Sequence, residues 1–306
     1  MISSRIARQE SLYVSYANSA IPGIRRDLAG FQEQLITGRR VNRPSDDPVA
    51  FAQARMLESL DERYAQYGRT IDSSRLWVNR TSDELSNLTE RFAEAYEEGL
   101  QALNDTLNEG DREAIAGRVE ALLDEVIDGL NAQSGSEYLF AGTRTTTAPF
   151  DEDGAPTGDL SGARNRQIGP NTELAINISG EQVLDPGEGF TIVESLQNLA
   201  DALRGADIGV PGDEPSDLAE AVGQVGTARD HLIDLGAALG ATARRLTTAE
   251  YQLQNASIET ERRRSELEDA DYFETVTAFQ QAQTTLEAAL ATTASITQTT
   301  LLDYLR

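Results

Sequence analysis

The chain has 306 residues, with 26 basic residues, 51 acidic residues and one histidine, and its net charge at pH 7 is −25. This charge argues against a nucleic-acid-binding protein, because phosphate contacts require a basic face. Since cysteine is absent and histidine occurs once, the sequence excludes disulfides, thiolate chemistry and Cys/His zinc sites.

Every basic residue is an arginine. An acidic surface without lysine is compatible with life at high salt, where screening removes self-repulsion, and equally with a GC-rich genome that favours arginine codons. No segment is long and apolar enough to span a membrane, and the N-terminus lacks the apolar core of a signal peptide. We therefore expect no membrane insertion and no cleavable signal.

The first 35 residues carry an apolar stripe at helical spacing, which predicts an amphipathic helix. Pro22 is expected to kink or break this helix, because proline lacks the N–H that a helix interior needs.

Residues 38–48, the sequence GRRVNRPSDDP, predict the end of one helix, a sharp connector and the start of another. Pro44 disfavours helical geometry at the residue before it. Asp47 is a predicted N-cap, because its side chain can accept hydrogen bonds from free N–H groups and Pro48 suits the first helical position. The alternative, a carboxylate pair in acid–base catalysis, lacks a surrounding set of titratable groups.

Two long segments repeat apolar residues every seven positions, which predicts two long helices packed along a coiled-coil seam. The first runs from Pro48 to about Leu107 and the second from Leu218 to Ala256. The first row comprises Leu57, Tyr64, Ile71, Val78, Leu85 and Phe92, and the second comprises Leu218, Val225, Leu232, Leu239, Leu246 and Leu253. His231 lies beside the second row and is interpreted as a partly packed helix residue.

Between these helices, Asp111–Ala132 is predicted to be a shorter amphipathic helix capped by Asp111. Residues 136–212 differ in composition from the helical segments. Their β-branched, aromatic, glycine and proline residues predict a small β-rich insert with one helix near Ile192–Leu203. Asp151–Gly154 is acidic but lacks the spacing of a calcium loop, so a solvated turn is favoured.

The C-terminal segment, 265–306, predicts a helix with an apolar stripe. Residues 1–45 hold seven arginines against three acids, whereas 265–306 hold one arginine against seven acids. Opposite charges favour pairing of these two ends, although single exposed ion pairs are weak. The predicted fold is therefore mainly α, with long antiparallel helices from both chain halves in a coiled-coil bundle and a small outer β domain in the middle.

Three segments resemble the bacterial flagellin family: LITGRRVNRPSDDPVAFAQA near the N-terminus, YLFAGTRTTTAPF in the middle and the end of the chain from DADYFETV to LLDYL. Pro44 and Pro48 on both sides of Ser45-Asp46-Asp47 make the first segment more similar to the hook-associated branch of the family than to flagellin proper. The insert from 151 to 212 resembles no family, as expected for the variable outer part of such proteins.

The resemblance implies an extracellular structural protein of the bacterial flagellum that forms the junction between hook and filament. Its implied partners are the other hook-associated junction protein, flagellin, further copies of itself and an export chaperone on the C-terminal helix. It also implies three regions: 1–45 with 265–306 as the inner axial tube, 46–135 with 213–264 as the long helical bundle, and 136–212 as the outer insert.

We predict that the terminal helices cover their apolar stripes mainly against neighbouring subunits, since a lone helix pair leaves one face wet. This assembly face comprises Ile6, Tyr13, Leu28, Phe31, Leu35, Val276, Phe279, Leu286, Leu290, Leu301 and Leu305. The connector is predicted to lie at a subunit interface, with its arginines in ion pairs between subunits: Gly38, Arg39, Arg40, Arg43, Pro44, Asp46, Asp47 and Pro48.

Two alternatives remain open, a flagellin of the filament itself and an adhesive module in the 136–212 insert. The sequence contains no P-loop, no Gly-x-Ser-x-Gly and no His-Glu-x-x-His motif, so we predict that the protein is not an enzyme and binds no cofactor.

Overall fold

The computed structural model describes residues 2–103, 108–205 and 214–304, with side chains over 19–103, 108–205 and 217–294. The prediction of a mainly α fold with a small strand region in its middle is confirmed. The helices are α1 (Ile2–Thr37), α2 (Pro48–Ala102), α3 (Glu109–Leu130), α4 (Gly180–Leu184), α5 (Ile192–Leu203), α6 (Glu214–Glu268) and α7 (Tyr272–Tyr304), and the strands are β1 (Gln133–Ser134), β2 (Glu137–Tyr138), β3 (Asn165–Gly169) and β4 (Thr172–Ala175).

The chain divides into two compact units. Unit 1 consists of Met1–Arg63 and Ala256–Arg306, and unit 2 consists of Tyr64–Asn255. Helices α2 and α6 each contribute residues to both units.

Unit 1 contains α1 and α7, the first and last helices of the chain, which pack against each other. The expectation that Pro22 breaks the first helix is wrong, because α1 is continuous through it. Proline removes one hydrogen bond from a 36-residue helix, which α1 tolerates while it packs against α7. The Arg26 Nε also donates a hydrogen bond to the Pro22 carbonyl at 3.3 Å.

Unit 2 contains a continuous hydrophobic core, to which the predicted heptad rows contribute together with α3 and α5. From Ile71 to Phe92 the row on α2 is buried, and so are Val225, Leu232, Leu239 and Leu246 on α6. Small residues Ala221 and Ala228 of the companion row are buried as well. The rows were therefore assigned to the correct faces.

Helix α3 begins earlier than predicted. Its N-cap is Asn108, whose side chain accepts a hydrogen bond from the Asp111 N–H at 2.9 Å, while the Asp111 carboxylate accepts one from the Asn108 N–H. Asp111 is thus the third residue of a reciprocal capping box, which satisfies two free donors at once. The prediction of Asp111 as the cap was wrong for this reason.

The insert contains less strand than its composition suggests. Strands β1 and β2 form one antiparallel pair and β3 and β4 another, each two-stranded. Most of SEYLFAGTRTTTAPF forms turns held by side chains; for example, the Asn131 amide bonds the backbone of Phe150 through both its oxygen and its nitrogen. Helix α5 has the predicted bounds, with Thr191 as its cap.

Candidate assembly site

The connector begins where Gly38 ends α1. Its φ of 72° lies in the left-handed region that glycine adopts without strain. The Gly38 carbonyl then accepts a hydrogen bond from the Ala270 N–H at 2.9 Å. Backbone N–H groups of Arg40 and Val41 donate to the Glu268 carbonyl at 2.6 and 3.2 Å. The connector is therefore fastened to the junction of α6 and α7.

Val41 is the anchor of this connector, because its side chain is 1% exposed between exposed neighbours. Sequence analysis missed both Val41 and its backbone partner Glu268. A single apolar residue among arginines gives no periodic signal, and its partner lies more than 220 positions away in the sequence.

The two connector carboxylates have different tasks. Asp47 caps α2 as predicted: its Oδ1 accepts hydrogen bonds from the N–H groups of Val49 at 3.1 Å and Ala50 at 3.0 Å. Asp46 instead closes the connector, accepting from the N–H groups of Arg43 at 2.8 Å and Asn42 at 3.0 Å. These bonds, that from Arg43 first, lower the pKa of Asp46.

The three connector arginines each have a partner within the chain. Arg43 contacts both carboxylate oxygens of Glu33, at 2.9 and 3.0 Å. Arg39 pairs with Glu268 at 3.5 Å, and Arg40 lies 3.8 Å from Asp47 and donates to the Leu267 carbonyl at 3.0 Å. Pro44 and Pro48 are exposed beside them. Ion pairs with a neighbouring subunit remain a prediction.

The predicted assembly face on α1 and α7 is only partly covered in the single chain. Six of its members are half-buried: Leu28, Phe31, Leu35, Val276, Phe279 and Leu286. Leu290 is 42% exposed. Ile6 and Tyr13 lie on α1 and Leu301 on α7, but their side chains and the whole of Leu305 fall outside the described residues.

Unit 1 buries fewer large apolar side chains than unit 2 does. Within the described side chains, its buried hydrophobic residues are Val41, Ala50 and Ala54, whereas the continuous core lies wholly in unit 2. Its exposed large hydrophobic residues are Ile36, Val49, Met56, Ile258, Tyr272, Phe273 and Leu290. Exposed apolar side chains in such number favour a region that contacts other molecules.

The insert is held in unit 2 by an arginine that sequence analysis did not select. The Arg164 guanidinium lies over the ring of Trp77, 4.3 Å from its centre, and bonds both Glu137 oxygens at 2.9 and 2.7 Å. The hydrogen bond from Arg164 lowers the pKa of Glu137 below its ordinary value. A cation over an aromatic face with a charged partner fixes the loop before β3 to α2.

The described residues contain no group of three or more His, Cys, Asp or Glu side chains arranged to hold a metal. Asp151–Gly154 forms a turn in which the Asp151 carboxylate accepts hydrogen bonds from the N–H groups of Asp153 and Ala155. Over the same described part, no helix is long and apolar enough to cross a membrane.

The chain matches two family descriptions, one over its N-terminal half and one over its C-terminal part. Residues 13–145 match the bacterial flagellin N-terminal helical region, and residues 222–305 match the bacterial flagellin C-terminal helical region. Together they take in most of the chain, which belongs to the bacterial flagellin family. Within that family its relatives include proteins named flagellar hook-associated protein 3.

The relative from Escherichia coli K12 is 26% identical over 277 residues, covering 85% of this chain and 87% of the relative. The relative from Salmonella typhimurium is 31% identical over 157 residues, covering 50% of this chain and 49% of the relative.

Solved structures share the fold. A putative flagellar hook-associated protein from Vibrio parahaemolyticus superposes with a TM-score of 0.66 at 18% identity, over 73% of this chain and 100% of that one. The flagellar junction protein from Legionella pneumophila gives 0.58 at 16% identity, over 71% and 100%.

Proposed function

We propose that this chain is a structural subunit of the bacterial flagellum that forms the junction between hook and filament and supplies the platform to which the filament attaches. The observation that carries the proposal is the contrast between the two units. Unit 2 has its own hydrophobic core, whereas the described part of unit 1, apart from Val41, leaves its large apolar side chains partly or largely exposed. The two relatives described above, both named hook-associated protein 3, support the junction over the filament itself.

The physical driving force of assembly is the burial of the α1 and α7 faces. Covering one fully exposed large apolar side chain contributes roughly 1.5–3 kcal/mol, and completing the burial of a partly buried one contributes up to about a third of that. Because six residues of the face are only partly buried in the single chain, contact with a neighbouring subunit would bury the area that remains exposed. Assembly therefore adds stabilisation that the single chain lacks, and the proposed role is structural rather than catalytic.

The proposed neighbours are further copies of the chain, the other hook-associated junction protein on the hook side and flagellin on the far side. The chain is proposed to act outside the cell as part of the flagellum, after passage with an export chaperone on α7. In the assembled flagellum 1–45 and 265–306 would line the axial tube, 46–135 and 213–264 the next layer, and 136–212 the outer surface.

Deletion of the gene tests the proposal. Cells without the chain should keep their hooks, lose their filaments and release flagellin into the medium, and a plasmid copy should restore attachment. An epitope-labelled copy should mark one position between hook and filament; a label along the whole filament would identify a flagellin instead. Normal filaments in the deletion strain would refute the proposed function.

A further inference from the structure

An acidic side chain of unit 2 is buried where α2 packs against α3. Glu84 on α2 is 9% exposed, and its neighbour Leu88 belongs to the hydrophobic core. Glu268, the other buried glutamate among the described side chains, pairs with Arg39 and Arg264. Glu84 makes no ion pair with any residue that the structure describes. Burying an ionised carboxylate without such a pair costs free energy.

Gly129 on α3 makes room for the Glu84 carboxylate. A Cβ built on Gly129 would lie 2.8 Å from the Glu84 Oε1 and 2.9 Å from the Leu88 Cδ2, so the carboxylate lies against the backbone of α3. Helix α3 ends one residue further on, at Leu130, and the last carbonyl groups of a helix have no partner within it. These carbonyls form the negative end of the helix dipole, which disfavours a carboxylate anion beside it.

The charged groups around Glu84 do not compensate for this position. On its own helix, exposed Arg80 attracts the carboxylate and exposed Asp83 repels it. The last turn of α3 contains no basic residue and adds the exposed carboxylate of Asp128. Burial outweighs the attraction of Arg80 and the hydrogen bond from the Asn87 side chain, and raises the pKa of Glu84 above its ordinary value.

We propose that Glu84 is a pH-sensitive switch in the contact between α2 and α3, which it weakens when ionised and strengthens when protonated. Taking up a proton removes the buried charge, and the neutral carboxyl group gains an O–H donor that suits the carbonyl end of α3. The inference does not rest on the proposed function, because it concerns the stability of unit 2 in the single chain.

The sign of the effect follows from the raised pKa. The stability that protonated Glu84 contributes is complete below the ordinary value of 4.5 and is lost as the pH rises through the higher pKa of the folded chain. The Glu137 carboxylate, whose pKa is lowered, has the opposite dependence. At pH 7 unit 2 is therefore less stable than its packing alone would make it.

Glu84→Gln tests the switch, because glutamine keeps the shape of the side chain and carries no charge at any pH. The matched control is Glu90→Gln, which removes one exposed carboxylate from the same helix. Urea unfolding of the full chain is measured from pH 7 down through pH 4.5. The emission of Trp77, the single tryptophan, follows unit 2.

At pH 7, Glu84→Gln should raise the folding equilibrium constant more than about twofold, beyond the span of ordinary surface changes, and Glu90→Gln should stay within that span. The gain from Glu84→Gln should shrink as the pH falls towards 4.5 and vanish below it, because Glu84 is then protonated in the folded and the unfolded chain. No gain at pH 7, a gain that persists in acid, or an equal gain from Glu90→Gln would overturn the proposal.

Gly129→Ala tests the contact on which the switch depends. Because the new Cβ meets the Glu84 Oε1, this substitution should lower the urea midpoint more in the natural chain than in a Glu84→Ala chain. Equal losses in the two backgrounds would show that the carboxylate does not lie against α3, and the proposal would fail.

Discussion

Two phenylalanines in the two units test whether the terminal helices are built for assembly. Phe92 on α2 is fully buried in the core of unit 2, and Phe31 on α1 is half-buried in unit 1. Phe92→Ala should cost about 3–5 kcal/mol in the free chain, through lost burial and the cavity left behind. For a unit of this size that lowers the melting temperature by roughly 6–20 °C.

Phe31→Ala should cost the free chain less than Phe92→Ala, about 1–2 kcal/mol, because part of its side chain is already in water. The exposed part, which a neighbouring subunit would cover, is worth up to about 1 kcal/mol in every copy. At 1.4 kcal/mol per tenfold change, each contact between subunits weakens up to about fivefold.

Thermal unfolding followed by circular dichroism measures the first effect, and the emission of Trp77, the single tryptophan, follows unit 2. Attachment is measured by counting filaments per cell before and after controlled shear. Phe31→Ala should melt about 2–8 °C below the natural chain, a smaller drop than for Phe92→Ala, yet lose its filaments under shear. If it melts as low as Phe92→Ala, or holds its filaments normally, the reasoning fails.

Three further changes test local features of the structure. Gly142→Ala places a Cβ 2.3 Å from a backbone oxygen at a φ of 59°, and should lower the free energy of unfolding by more than about 2 kcal/mol. Gly187 also has a positive φ but open space around it, so Gly187→Ala should cost about 1 kcal/mol. Urea unfolding of both variants measures the difference. Because Arg164 lowers the pKa of Glu137 below 4.5, the stability from this pair is complete above that value and is lost as the pH falls through the lower folded pKa. Arg164→Met should therefore flatten the fall in unfolding free energy below pH 4.5, and an unchanged slope would contradict it. Asp47→Ala should cost about 1 kcal/mol through loss of the α2 cap, and Asp47→Asn much less, as judged from urea midpoints.

Local and periodic features of the sequence predicted most of the fold. The heptad rows identified the buried faces of α2 and α6, and Asp47 with Pro48 marked the start of α2, because each signal lies within one helix. Helix α5 was assigned its bounds for the same reason.

The sequence could not predict contacts between distant segments. Arg164 is one of 26 arginines, and only the folded insert brings it over Trp77. Asn108 and Asp111 are both good caps, and their reciprocal hydrogen bonds, which no propensity scale contains, decide between them. Pro22 was misjudged because helix propensity ignores the support of a packed neighbour.

The bond between the Arg40 guanidinium and the Leu267 carbonyl spans 227 positions of sequence. A nascent chain emerging from the ribosome therefore lacks half of this fastening until nearly all of it has been synthesised. Unit 2, whose residues are contiguous, can complete its folding first, and closing such a long loop makes unit 1 the slower and later of the two to form. The topology therefore predicts an order of folding in which the unit with a core forms first and the unit that we propose to contact other subunits forms last.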